Sequence, residues 1–99
     1  NKYYNNNFLK FDNIKLIQQT KNSKWNFWLN NIVIRNISLG MRNKIIVGLN
    51  KNNILARPVW KLMHKIDNLK KFPKMQIENS IMLEKSLISL PSSPSLLNK

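Results

Sequence analysis

Arg57 and Trp60 are the residues whose chemistry is easiest to name in this sequence. Arg57 stands directly before Pro58, which lacks an N–H and biases the preceding residue towards extended geometry. We therefore expect Arg57 at the end of a short strand over residues 54–56, where α/β proteins place binding groups. Its guanidinium offers a planar fork for phosphate or carboxylate, and the Trp60 indole can stack on a base or a sugar. Taken alone, a surface arginine beside a partly buried tryptophan explains this segment at least as well.

His64 is the only histidine, and the chain has no cysteine. Multi-histidine metal sites, thiolate metal sites and disulfide scaffolds are therefore excluded. The four carboxylates are far apart in sequence, no nucleophile is marked, and neither glycine belongs to a phosphate-binding loop. We predict no catalytic residue and no metal site in this chain by itself. Alone, His64 is more typical of a surface or packing histidine than of a ligand.

Trp28 lies between Asn26 and Asn30 in a second aromatic and polar segment. The chain has three tryptophans, and tryptophan is most often used to fill a core or an interface. The two asparagines are either binding groups or a consequence of the high asparagine content. Both interpretations stay open for this segment alone.

The composition is strongly basic, with a formal net charge of +13 from 17 Lys and Arg against 4 Asp and Glu. Such a balance is typical of proteins that bind nucleic acid or an anionic membrane. The basic residues are scattered, however, and Lys70-Lys71 is the only adjacent pair. The excess lysine accompanies many Asn and Ile residues, as AT-rich coding sequence produces. A small basic nucleic-acid-binding protein with aromatic stacking is therefore the alternative hypothesis, and nucleic acid is not the expected partner.

A chain of 99 residues forms at most one small domain with a modest core. It has no apolar run close to the roughly 18 residues of a membrane span. Residues 1–7 lack the apolar segment of a secretory signal. We expect a cytoplasmic protein with no membrane partner. The chain begins with Asn1 and not Met, which favours a fragment or a processed product.

The apolar pattern predicts helices packed on one face of a small sheet, an α/β or α+β layer. Residues 1–24 are expected to be an irregular lead-in with one short strand, residues 25–91 the ordered core, and residues 92–99 an irregular tail. The predicted elements are strands over 14–17 and 27–35, a helix over 39–49, a strand over 54–56, a helical turn within 60–66, a loop over 67–75, a helix over 78–85 and a strand over 87–90.

Ser38 is the expected N-cap of the first predicted helix, because its hydroxyl can accept an otherwise unpaired backbone N–H. Met41, Ile45 and Leu49 recur at four-residue spacing and Ile46 widens this stripe, which predicts the buried face of this helix. In the second predicted helix, Met82 and Leu83 are expected to be buried.

Three segments in combination resemble the C-terminal end of the DegT/DnrJ/StrS-type sugar aminotransferases. They are Asn-x-Trp-Leu-Asn at residues 26–30, Arg-Pro-x-Trp-Lys-x-Met-His at residues 57–64, and Leu-Pro-Ser-Ser at residues 90–93. The closest likeness is to the branch that acts in lipopolysaccharide and legionaminic acid pathways. The resemblance covers residues 8–94 of this chain, and only about the last quarter of a typical family member.

The resemblance implies the small C-terminal domain of a fold-type I, pyridoxal-phosphate-dependent enzyme that acts as a homodimer. Such an enzyme transfers an amino group from a donor such as glutamate to a nucleotide-linked keto-sugar for cell-surface polysaccharide. By this likeness Arg57 would contact the anionic nucleotide-sugar, while Trp60 and His64 would shape the pocket. The residues implied on the substrate side are Asn26, Trp28, Asn30, Arg57, Trp60 and His64.

The sequence departs from the family in one essential respect. Family members need a lysine that forms a Schiff base with pyridoxal phosphate and an acidic residue on its pyridine nitrogen, and both belong to a large domain that is missing here. No lysine of this chain lies in a matching context. We therefore expect that the chain alone binds no cofactor and is inactive. We also expect it to aggregate readily, because a cut interface leaves apolar surface exposed.

Overall fold

The structure, a computed structural model, describes residues 1–93 and 95, and over these residues it shows an α+β fold with three α-helices and one four-stranded sheet. The predicted arrangement of helices with a small sheet is confirmed at this level. No helix in the described part of the chain is long and apolar enough to cross a membrane. The elements are α1 (Lys2–Phe8), β1 (Ile14–Leu16), β2 (Asn30–Ile34), α2 (Leu39–Lys51), β3 (Arg57–Pro58), two 3₁₀ turns (Met63–Lys65 and Asp67–Leu69), α3 (Glu78–Ser86) and β4 (Leu87–Leu90).

The sheet has the strand order β1-β2-β4-β3, and each neighbouring pair is antiparallel. Side chains alternate between faces along a strand, and directly opposed residues share a face, so the register defines two faces. The core face carries Ile14, Leu16, Asn30, Ile32, Ile34, Pro58, Ile88 and Leu90. The opposite face, called the cleft face below, carries Lys15, Asn31, Val33, Arg57, Leu87 and Ser89.

Two helices cover the core face. Ile46 of α2 is buried in the same cluster as Ile32 and Ile88, and Tyr4 and Phe8 of α1 pack against that cluster. Removing these apolar side chains from water is the main favourable contribution to folding. The core therefore lies between α1, α2 and one face of the sheet.

Helix α2 begins as predicted, and its predicted apolar face is confirmed except at Met41. The Ser38 hydroxyl accepts the N–H of Met41 at 3.1 Å, which confirms the N-cap. Ile46 is buried in the core, and Ile45 and Leu49 are partly buried against it, whereas Met41 is about half exposed. Arg42, which the spacing of apolar residues did not include, is also buried, and its guanidinium donates to the backbone carbonyl of Glu84 in α3. This polar contact joins the two helices.

Helix α3 and strand β4 follow one another without a loop. The predicted strand over residues 87–90 is confirmed. The predicted burial of α3 is wrong for Met82, which is exposed, whereas Leu83 is partly buried and Ser86 is the buried residue of α3. Because Ser86 directly precedes β4, the end of the helix is held against the sheet while its middle stays exposed.

The structure differs from the predictions in the segment before Arg57. Residues 54–56 form no strand, because their backbone groups are bonded to the end of α2 instead of to the sheet. The Ile54 N–H donates to the carbonyl of Leu49 at 2.9 Å, and the Asn50 amide donates to the carbonyl of Ala56 at 3.1 Å. Arg57 therefore begins the short edge strand β3 and does not end an earlier one.

The two ends of the chain also differ from the prediction. Residues 1–24 are not an irregular lead-in, because they contain α1 in addition to the predicted strand β1. Strand β2 begins at Asn30 and not at Phe27, whose backbone is in the left-handed region with φ 53°. Ser92 and Ser93 lie outside helices and strands as predicted, and the rest of the predicted tail, apart from residue 95, lies outside the described residues.

Candidate functional site

A cleft of about 500 Å³ lies over the cleft face of the sheet, at the edge where β3 pairs with β4. Three residues of the cleft face contribute polar groups to it: Asn31, Ser89 and Arg57, of which Arg57 lies in the edge strand. The other walls come from the segment before β2 and the segment after β3. The lining residues are Trp28, Leu29, Asn31, Arg57, Pro58, Val59, Trp60, Leu87 and Ser89.

Arg57 is the cationic residue of the cleft. It is exposed on β3, directly opposite Ser89 of β4. Pro58 fixes the backbone after it and removes a donor from the sheet edge, a typical role of proline in an edge strand. Among the described residues, no carboxylate forms an ion pair with Arg57. Its guanidinium is therefore placed to meet an anion from solution.

A polar pair lies next to Arg57 on the sheet. The Ser89 hydroxyl donates to Asn31 Oδ1 at 2.6 Å, across the β2–β4 pairing. This bond fixes both side chains on the cleft face. The bottom of the cleft thus offers the hydroxyl of Ser89 one strand away from Arg57 and the carboxamide of Asn31 two strands away.

Two tryptophans form the sides of the cleft. Trp28 precedes β2 and is 66% exposed, and Trp60 follows β3 and is 78% exposed. An indole that is mostly exposed contributes little to a core, so neither tryptophan has the burial that is usual for this residue type. Flat aromatic faces beside a cation suit a ligand that carries a ring and a negative charge.

The segment that follows Trp60 is held by Glu84 of α3. One carboxylate oxygen accepts the N–H of Leu62 at 2.9 Å, and the other pairs with the Lys65 ammonium. These two hydrogen bonds hold the pKa of Glu84 below its usual value, and the bond from Lys65 makes the larger contribution. Glu84 is thus ionised at neutral pH and anchors the wall that carries Trp60.

The cleft does not fit pyridoxal phosphate by itself. Its described lining includes no lysine that could bond to the cofactor and no carboxylate that could pair with a pyridine nitrogen. Among residues 1–93 and 95, no three potential metal ligands come together. The groups that line the cleft suit the binding of an anion that carries a ring.

The structure brings together three of the six residues that were predicted on the substrate side, namely Trp28, Arg57 and Trp60. Asn26 lies beside the cleft, where its Oδ1 accepts the N–H of Trp28 at 3.0 Å. It shapes the wall without lining the cleft.

Asn30 and His64 lie away from the cleft. Asn30 is buried on the core face and accepts a hydrogen bond from the Asn1 carboxamide at 3.0 Å. His64 lies in the 3₁₀ turn Met63–Lys65 and is not among the lining residues. The structure therefore gives Asn30 a packing environment, and it places His64 outside the cleft.

Sequence reasoning missed Asn31 and Ser89. The alternation of side chains along a strand was a usable signal. Asn31 precedes Ile32 and Ser89 follows Ile88, and because both isoleucines lie on the core face, Asn31 and Ser89 must lie on the opposite face. The pairing of β2 with β4, which joins Asn31 to Ser89 across 58 residues of sequence, had no local signal.

Comparison of the chain with models of known protein families found no match, and comparison with curated proteins found none either.

Proposed function

We propose that this chain is the C-terminal small domain of a pyridoxal-phosphate-dependent nucleotide-sugar aminotransferase, and that its cleft forms the substrate-side wall of the active site. One observation carries the proposal. Trp28 from the first family-like segment and Arg57 with Trp60 from the second line a single cleft, although β2 and α2 separate them in sequence.

The groups of the cleft suit a nucleotide-linked keto-sugar. The guanidinium of Arg57 matches phosphate oxygens in charge and geometry. The exposed indoles of Trp28 and Trp60 can cover the flat faces of a base or a sugar ring. The hydroxyl and carboxamide of Ser89 and Asn31 can bond to sugar hydroxyls.

The remaining chemistry belongs to parts outside this chain. Pyridoxal phosphate supplies the electron sink for amino transfer when it is bound to the large domain, and the donor would be an amino acid such as glutamate. The role of this chain is to bind and orient the sugar nucleotide and to exclude water from that side. The enzyme is proposed to act as a homodimer in the cytoplasm.

The coding sequence upstream of Asn1 is the first test. The proposal expects an open frame, in phase, that encodes a large domain with a cofactor-binding lysine. The protein encoded by that whole frame should transfer the amino group of glutamate to a nucleotide-linked keto-sugar. Changing Arg57 to Ala should raise KM for the sugar nucleotide about tenfold or more, since a charged hydrogen bond is lost, while KM for glutamate stays the same. Arg35→Ala, at an exposed arginine outside the cleft, is the matched control.

Two results would overturn the proposal. One is an upstream frame without such a domain, with no separate gene that encodes it. The other is tight binding of the chain to single-stranded DNA with a steep dependence on salt, which the nucleic-acid alternative predicts.

A further inference from the structure

We propose that Ser92 is a positioning residue, which holds Trp28 at the cleft through a hydrogen bond from its side chain to the Trp28 backbone carbonyl. The Ser92 hydroxyl donates to this carbonyl at 2.5 Å and joins residues 64 positions apart in sequence. The consequence of this contact for ligand binding rests on the function proposed above, whereas the contact itself does not.

The wall that carries Trp28 needs such a contact because it lies outside the sheet. Strand β2 begins at Asn30, so Trp28 forms no ladder hydrogen bonds with a neighbouring strand. Side chains bind both of its backbone polar groups instead. Asn26 Oδ1 accepts its N–H at 3.0 Å, and Ser92 donates to its carbonyl.

The backbone next to Trp28 is strained. Phe27 has φ 53°, a left-handed conformation that is unfavourable for a bulky residue and persists only where the surroundings enforce it. The hydrogen bonds to the N–H and to the carbonyl of Trp28 are the contacts that hold Phe27 in this conformation. Loss of one of them should let the backbone relax and move the indole away from its place at the cleft.

Ser92 is itself held in place, which makes it an effective anchor. It follows Pro91 at the end of β4, and the Tyr4 hydroxyl donates to the Pro91 carbonyl at 2.6 Å. Residues 91–93, which follow β4, are thereby bonded to α1 through Tyr4 and to the wall that carries Trp28 through Ser92. The Leu-Pro-Ser-Ser segment at residues 90–93 thus closes the sheet and also holds one wall of the cleft.

The test is fluorine NMR of the whole chain labelled with 5-fluorotryptophan, with each resonance assigned by changing one tryptophan to phenylalanine. In Ser92→Ala, the Trp28 resonance should move and narrow as the indole gains mobility, while the Trp60 resonance stays in place. Ser92→Thr keeps a hydroxyl and should leave the Trp28 resonance near its original position. Ser93→Ala is the matched control, because the Ser93 hydroxyl contacts Ser95 and not the wall.

An unmoved Trp28 resonance in Ser92→Ala overturns the proposal, and so does a change that spreads equally to Trp60. Should Ser92→Ala fail to fold, Tyr4→Phe provides the second variant. It removes the hydroxyl that is bonded to the Pro91 carbonyl, so it should loosen residues 91–93 and move the Trp28 resonance. A titration with UDP then tests the consequence for ligand binding, which rests on the proposed function. Ser92→Ala should bind UDP about threefold to tenfold more weakly than the unchanged chain, as expected for one hydrogen bond. If the resonance moves but no form of the chain binds UDP or a UDP-linked sugar, the role of Ser92 stands and the proposed function fails.

Discussion

The carboxylate of Glu84 accepts the backbone N–H of Leu62 at 2.9 Å, across 22 residues of sequence. The same carboxylate pairs with Lys65, and the backbone carbonyl of Glu84 accepts a bond from Arg42. One residue of α3 therefore joins α2 to the irregular segment that carries the Trp60 wall. These polar contacts hold a segment whose own regular structure is limited to two short 3₁₀ turns.

Glu84→Gln should lower the free energy of unfolding by about 1–2 kcal/mol at pH 7, because the charged hydrogen bonds become weaker neutral ones. The folded-state pKa of Glu84 is lowered, so its contribution is fully present above the ordinary glutamate value of 4.5 and is lost as pH falls through the folded value. The stability of the unchanged chain should therefore drop in this acid range more than that of Glu84→Gln. Urea unfolding at several pH values, followed by circular dichroism, measures both effects. Asp12→Asn is the control at an exposed carboxylate, and an equal loss in that variant would contradict a specific role of Glu84.

Arg42→Met should destabilise the chain by about 1–3 kcal/mol, because it leaves the partly buried carbonyl of Glu84 without its side-chain donor. Arg42 is only 6% exposed, and methionine can fill most of the space but cannot donate a hydrogen bond. The midpoint of urea unfolding reports the loss. Lys44→Met, on the exposed side of the same helix, should change the midpoint little. Equal effects of the two changes would show that the bond from Arg42 contributes no net stability.

Local signals were sufficient for the elements of the fold that depend on local structure. The Ser38 cap, the β1 segment and the run Leu87–Leu90 each follow from neighbouring residues, and the structure confirms them. The burial of Arg42 in α2 could not be predicted, because its bond to α3 joins residues 42 positions apart. The polar composition of α1, with three consecutive asparagines, likewise conceals a helix whose Tyr4 and Phe8 are held by the distant sheet.

The residues of the candidate site also fall into those that the local sequence predicts and those that only the pairing of distant strands brings together. Trp28, Arg57 and Trp60 could be predicted because their residue types are unusual in so uniform a sequence. Asn31 and Ser89 could not, because the register between β2 and β4 brings them together. Asn30 was predicted at the site and lies instead on the core face, one residue out of phase with Asn31.

Replacing Phe27 with Gly should give a more stable chain than replacing it with Ala, by about 1 kcal/mol, because glycine adopts a positive φ without a steric penalty. The comparison of the two variants removes the loss of the phenyl ring from the result. The order should be reversed at Lys44 of α2, where Ala should be more stable than Gly by a similar amount. Thermal unfolding followed by circular dichroism measures all four variants. Equal stability of the two variants at position 27 would mean that the left-handed backbone is absent in solution.

The last prediction concerns the exposed apolar surface around the cleft. Leu55, Val59 and Trp60 line one shallow depression, and Trp28 and Leu29 line the cleft next to it. Apolar patches of this kind promote association, so the chain alone should form concentration-dependent oligomers. Trp60→Ser should lower the weight-average mass in sedimentation equilibrium at a given concentration. Met75→Ser, at a residue that is 89% exposed and outside both depressions, should leave the mass unchanged. Association that persists in Trp60→Ser would place the contact elsewhere on the chain and would leave the cleft free for a ligand.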